Sequence, residues 1–275
     1  MSFFNDRTQM TVSNNVQNSV FVIMLTVMFW MFFSNGRNGC SLLYARRHTR
    51  GARLYVPVLN IVPNLIGAII CAYVAVQRAW PGFANCSTIT ALDAFEIALG
   101  TTSIVGILFI RVYYAWMRHR WLLFLGSTLI FANFIVGTVS FFAMPVHADE
   151  NGTCIMVTEA YWPLTKFITD IITNLTLSGL YLYVLSRAFH AGFSTTLYAE
   201  LRHEGFIATF LVIVSSTATA VIVLLDLVPG NAPYIYGVDT LINATLISRM
   251  LCRRHNSGSY TRTTLKLQTM GNTSG

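Results

Sequence analysis

Charge is what this sequence has least of. Only 11% of its 275 residues are Asp, Glu, Lys or Arg, against roughly 25% in an ordinary soluble domain. A soluble fold of this length needs a polar coat, and this chain cannot supply one. Glycine (18) and proline (7) are too few for a collagen-like or disordered chain, and five cysteines make no disulfide scaffold. Gly-x-Ser-x-Gly, phosphate-loop and Cys-x-x-Cys motifs are all missing. What is there is apolar: 54% hydrophobic residues and a mean hydropathy of +0.57. The composition is that of an integral membrane protein.

A spanning helix needs about 20 mostly apolar residues. Seven segments are expected to span: 17–34, 54–79, 90–116, 122–145, 162–187, 205–228 and 232–250. The apolar runs are continuous, as from Val20 to Phe33, and lack the alternation of a membrane barrel strand. The last segment is the least apolar, because it carries Asp239 and Asn243. No basic cluster precedes the first segment and no small-residue cleavage site follows it, so it reads as a retained helix. The expected fold is an all-α, seven-transmembrane-helix bundle spanning 17–250, with an extracellular tail at 1–16 and a cytosolic tail at 251–275.

The net charge of +7 is confined to one side of that arrangement, which argues against nucleic acid as its partner. Fifteen of the 18 basic residues fall in segments expected on one face, among them Arg37, Arg46, Arg47, Arg118, Arg120 and Arg253. Only Glu200 and Glu204 oppose them there, and the other nine acids lie on the far side or within outer helix turns. The positive-inside bias therefore places the N-terminus outside and the C-terminus in the cytosol. Four of the five tryptophans (Trp80, Trp116, Trp121, Trp162) fall at expected span ends, as interfacial anchoring requires.

Cys86 and Cys154 then lie on the oxidising side, either as a disulfide or as two free thiols, while Cys40 and Cys252 face reducing cytosol. Two outward sequons, Asn85-Cys86-Ser87 and Asn151-Gly152-Thr153, sit beside those cysteines and mark glycosylation sites.

Ionisable groups inside spans are costly and mark functional candidates. Asp93 and Glu96 occupy the outer turns of the third span, where a complement to the helix dipole is the competing explanation. Lys166 and Asp170 form an i, i+4 pair on the fifth, with Asn174 one turn on. Asp239 sits near the middle of the last span with no counter-charge in its own sequence. Asp93, Glu96, Asp170 and Asp239 are the expected ligand-binding residues of an outer pocket, facing one another and Lys166 across the bundle. Such a pocket favours a cationic or proton-linked ligand. All six histidines lie in loops or tails, so no intramembrane zinc hydrolase is expected. The last span has no lysine for a retinal Schiff base. No catalytic residue, metal or cofactor is expected.

Seven spans with the N-terminus outside, and a bridge from the third helix to the loop after the fourth, resemble the G-protein-coupled receptors. Arg111 follows Cys86 by 25 residues and Asp93 follows it by seven. Rhodopsin-like receptors share the first separation for a cytosolic-end arginine, and amine-binding members share the second for their ligand aspartate. The local triplet reads Ile110-Arg111-Val112, without the acid of that family, and Tyr113 and Tyr114 follow. The sixth and seventh spans lack the family's Cys-Trp-x-Pro and Asn-Pro-x-x-Tyr signatures. The short-looped chain is also similar to poorly characterised seven-span receptor-like proteins of fungi. The resemblance implies a plasma-membrane receptor for a small extracellular ligand. Its coupling surface, with Arg111, Tyr113, Tyr114 and Arg118, would meet a heterotrimeric G protein. Two other classes fit the composition: a small transporter in which Asp170 and Asp239 bind protons or cations, and a scaffold that binds only membrane lipids and other membrane proteins.

Overall fold

The computed structural model describes residues 2–47, 52–80, 85–144, 146–148, 154–156, 159, 161–190, 195–225, 227 and 234–252. Seven helical rods account for nearly all of them. They are α1 (Ser2–Ala45), α2 (Ala52–Ala79), α3 (Cys86–Ala115), α4 (Arg120–Ala143), α5 (Tyr161–His190), α6 (Thr195–Leu224) and α7 (234–252). A two-stranded antiparallel hairpin, β1 (Val146–Ala148) with β2 (Cys154–Met156), joins α4 to α5 in the register Val146 to Met156. The first six rods contain segments long and apolar enough to cross a membrane. Those of α2 to α6 agree with the expected ranges to within four residues at either end.

The first rod differs most from expectation. It is helical from Ser2, through the expected tail, and runs to Ala45, eleven residues past the expected end of its span. The segment Ser34-Asn35-Gly36-Arg37-Asn38-Gly39 has the composition of a loop, yet here it is helix. Packing overrides propensity, because the two glycines let α2 come close. A Cβ on Gly39 would stand 2.9 Å from Cγ1 of Ile61, and one on Gly36 would stand 3.7 Å from the Asn64 Cβ.

The third rod is interrupted by a π-helical turn, Glu96–Thr101. Such turns insert an extra residue into an α-helix and gather at functional sites. Here α4 crosses it very closely: a Cβ on Gly137 would stand 2.4 Å from the Ala98 Cα. The N-terminal end of α3 is fixed twice. Asn85 Oδ1 caps it by accepting from the Ser87 amide at 3.1 Å, and a Cys86–Cys154 disulfide ties it to the hairpin. Its C-terminal end closes in a Schellman motif, with the Arg118 amide donating to Tyr113 O (2.9 Å) and the Met117 amide to Tyr114 O (3.3 Å). Met117 (φ 52°) therefore holds the left-handed position that glycine usually takes. Pro57 and Pro63 lie within α2, each depriving it of one backbone hydrogen bond.

Two apolar clusters hold the bundle. The larger, around Leu25, Phe32, Val74, Ile107, Trp162 and Ile247, links α1, α2, α3, α5 and α7. The smaller packs Val105, Val112, Leu122, Leu177, Tyr181 and Leu185 between α3, α4 and α5. Large apolar side chains outside them, such as Phe124 (80% exposed) and Phe142 (76%), face outward as lipid-facing residues must.

Candidate functional site

The polar residues inside the bundle fall into two groups. The first lies on α5, α6 and α7. Lys166 and Asp170, one turn apart on α5, are ion-paired and largely buried. Facing them on α7, Asp239 is 7% exposed and accepts hydrogen bonds from α6: Ser215 Oγ at 2.6 Å and Ser216 Oγ at 3.3 Å. Lys166 and Asp170 both act electrostatically on Asp239, so three charged groups form one cluster across α5 and α7. Desolvation at this depth makes each partner costly to remove.

These groups line a narrow cleft between α3, α5, α6 and α7, with a cavity volume of about 60 Å³. Below the charged cluster its wall carries Asn174 of α5 and Asn243 of α7. At the far end stands Arg111. The guanidinium carbon of Arg111 lies 4.6 Å from the centroid of the Tyr181 ring, and its Nη1 donates to Met250 Sδ at 3.5 Å. Arg111 thus points between helices and not into a loop. From Lys166 to Tyr181 the cleft follows α5 for about 22 Å at 1.5 Å per residue.

The second group is Asp93 and Glu96, both buried (8% and 6% exposed). They do not line the cleft. Their neighbours are on α2: both act electrostatically on Cys71, and Gly100, which a Cβ would bring to 3.6 Å from Glu96 Cγ, faces Pro63 at the same distance. Of the four carboxylates expected in one outer pocket, two line this cleft. Asp170 and Asp239 are brought together, whereas Asp93 and Glu96 form a separate site at the start of the π turn. The aromatic rings heading α7 are also already engaged. Tyr234 stacks edge-on to Phe21 (4.8 Å) beside the Arg78 guanidinium, and Tyr236 meets Trp162 at 5.1 Å.

Of the residues expected at the coupling surface, Tyr113 packs edge-on against Tyr114 at 5.8 Å, and Arg118 lies over the Tyr114 ring at 5.1 Å. Arg111 alone of these four reaches the cleft. Asn85 is exposed at the cap of α3, while Asn151 lies outside the described residues. Among the described residues no three His, Cys, Asp or Glu side chains converge as a metal site would require.

The sequence reading missed Ser215 and Ser216, Tyr181 and Met250. Two adjacent serines in an apolar run were the one available signal, since a helix facing lipid has no use for them.

With six helices able to cross a bilayer, a disulfide at one end and buried charge within, the chain is a multi-pass membrane protein. No protein-family model matches it, and no curated protein matches it.

Proposed function

We propose that the protein is a seven-span, G-protein-coupled-receptor-like receptor of the plasma membrane. It senses a small extracellular ligand in the cleft between α3, α5, α6 and α7. In this reading α7 crosses the membrane although its Asp239, Asn243 and Arg249 leave it less apolar than the other six. The N-terminus is outside and the C-terminus cytosolic. Two independent features support that orientation: the disulfide marks its end of the bundle as the oxidising side, and the basic residues gather at the other end.

The observation that carries the reading is the continuity of the cleft. One cavity joins a charged cluster in the outer half of the bundle to an arginine at its inner end. A ligand that engages Asp239 or the Lys166–Asp170 pair acts on the same helices that hold Arg111. Asp239 has hydroxyl partners but no dedicated counter-charge, because Lys166 is committed to Asp170. The cleft therefore favours a ligand carrying a cationic group. Arg111, with Tyr113, Tyr114 and Arg118, forms the coupling surface for a heterotrimeric G protein.

The same continuity favours a second reading, a proton- or cation-coupled transporter. The cleft follows α5 for about 22 Å of a hydrocarbon core of about 30 Å, with polar side chains at Lys166, Asp170, Asn174, Asp239 and Asn243 and an apolar stretch of Leu177, Leu246 and Ile247 before Arg111. The deciding experiment sets nucleotide exchange by G proteins on the purified protein against solute or proton flux in proteoliposomes. Exchange without flux supports the receptor, flux without exchange supports the transporter, and neither leaves a scaffold.

A further inference from the structure

A second cavity lies away from the cleft, where the C-terminal part of α1 runs beside the end of α7. Its cavity volume is about 300 Å³, and it is open at the surface. Its wall changes character along α1. Trp30 and Met31 come first, then Ser34, Asn35 and Asn38 over the next two turns. From α7 come Thr245, Ser248 and Arg249. The two helices are clamped at the back of the groove, where Asn35 Nδ2 donates to Thr245 Oγ1 at 2.8 Å.

Three features ask for an occupant. Ser248 is 1% exposed, and its Oγ has no partner among the described residues other than the Cys252 thiol one turn on. A buried hydroxyl so poorly satisfied calls for a missing acceptor. Arg249 lines the groove and makes no ion pair among the described residues, and no acid lines the groove with it. Arg37 lies three residues beyond Ser34 and seven beyond Trp30, on the same stripe of α1, and is likewise exposed without an ion pair among the described residues. The groove thus presents one cation, Arg249, with hydroxyls and amides at one level, and Arg37 stands on the neighbouring turn of α1 outside its lining. A tryptophan 67% exposed stands about 6 Å closer to the bilayer centre.

We infer that this groove holds one anionic phospholipid, its phosphate beside Arg249, Ser34 and Asn38 and an acyl chain along Trp30 and Met31. Charge complementarity selects the anionic headgroup, and the change from polar to apolar wall selects a lipid over a soluble anion. The leaflet follows from the orientation proposed above, in which this end of the bundle faces the cytosol, where anionic lipids are enriched. The site itself depends on neither the receptor nor the transporter reading.

Native mass spectrometry of the full-length protein, released from detergent, tests the inference. The protein is titrated separately with dioleoylphosphatidylserine, dioleoylphosphatidylcholine, glycerophosphoserine and inorganic phosphate. Phosphatidylserine is expected to be retained about tenfold more tightly than phosphatidylcholine, and Arg249→Gln to lower that preference about fivefold. Ser34→Leu fills the groove without altering charge and should weaken phosphatidylserine retention, while Arg120→Gln, an exposed arginine on α4, should leave it unchanged. Equal retention of the two lipids overturns the inference. So does an Arg120→Gln effect as large as that of Arg249→Gln, which would mean diffuse attraction to the surface. Binding of glycerophosphoserine or inorganic phosphate as tight as that of the lipid overturns it in favour of a soluble-anion site.

Discussion

Arg111 and Tyr181 meet as a cation over a ring, 4.6 Å apart, joining α3 to α5 where the cleft ends. A desolvated pair of this kind contributes about 1–2 kcal/mol. Arg111→Gln and Tyr181→Leu should each lower the melting temperature of the detergent-solubilised protein, and the double variant should lose less than their sum. Full additivity would show that the two side chains do not interact. In the receptor reading Arg111→Ala also abolishes ligand-stimulated nucleotide exchange while surface expression persists.

Lys166 and Asp170 neutralise each other at depth. Asp170→Asn leaves the Lys166 ammonium without its partner, and breaking a buried pair in this way costs about 3–5 kcal/mol. Replacing both, as Lys166→Met with Asp170→Leu, should be milder than either single change. Thermal unfolding of the three variants tests this, and a double variant worse than both singles would refute it.

The orientation and the sequons are tested on gels. Glycosidase should shift the wild type but not a double variant, Asn85→Asp with Asn151→Gln. Aspartate is chosen at position 85 because its carboxylate can still cap Ser87, whose loss would cost about 1 kcal/mol. Without reduction, thiol reagents should label Cys252 after permeabilisation and leave Cys86 and Cys154 untouched. A glycan on Asn272 would invert the topology.

Two glycines should respond oppositely to alanine. At Gly137 a methyl group would meet the Ala98 backbone, with Cα at 2.4 Å and N at 2.7 Å, so Gly137→Ala should cost about 1–3 kcal/mol or more. At Gly179 nothing lies within 4 Å, and Gly179→Ala should stabilise by about 0.5–1 kcal/mol through helix propensity alone. A Gly137→Ala melting temperature at or above the wild type would contradict the packing of α4 on the π turn.

Met117→Gly should stabilise the turn between α3 and α4 by about 1 kcal/mol, since φ of 52° is strained for methionine and free for glycine. Met117 is 92% exposed, so the substitution removes no packing. A lower melting temperature would exclude the strain argument.

Hydropathy and charge made most of the bundle legible, because lipid tolerates few ways of hiding a backbone. The ends of α2 to α6 follow from that alone. The end of α1 does not: Gly36 and Gly39 read as a loop until Asn64 and Ile61 are seen against them. The candidate site was half legible. Lys166, Asp170 and Asp239 announced themselves by their cost, but which faces of α3 and α7 turn toward them depends on the π turn at Glu96–Thr101, for which the sequence has no marker. An extra residue there sets Asp93 and Glu96 toward α2 while Arg111, below it, reaches the cleft. Ser215 and Ser216 were visible as serines but not as the partners of Asp239.

The third helix behaves as a screw with its head bolted. Its outer end is held by Cys154 and by the Asn85 cap, so no rotation can be taken up there. If the π turn relaxes to regular α-helix, the surplus residue must be absorbed on the unbolted side, as a turn of about 100° and a shift of about 1.5 Å. Arg111 rides on that side, ten residues past Thr101. A winding event near Asp93 and Glu96 would thus work against the arginine's contacts with Tyr181 and Met250, with the disulfide as the fixed point of the lever.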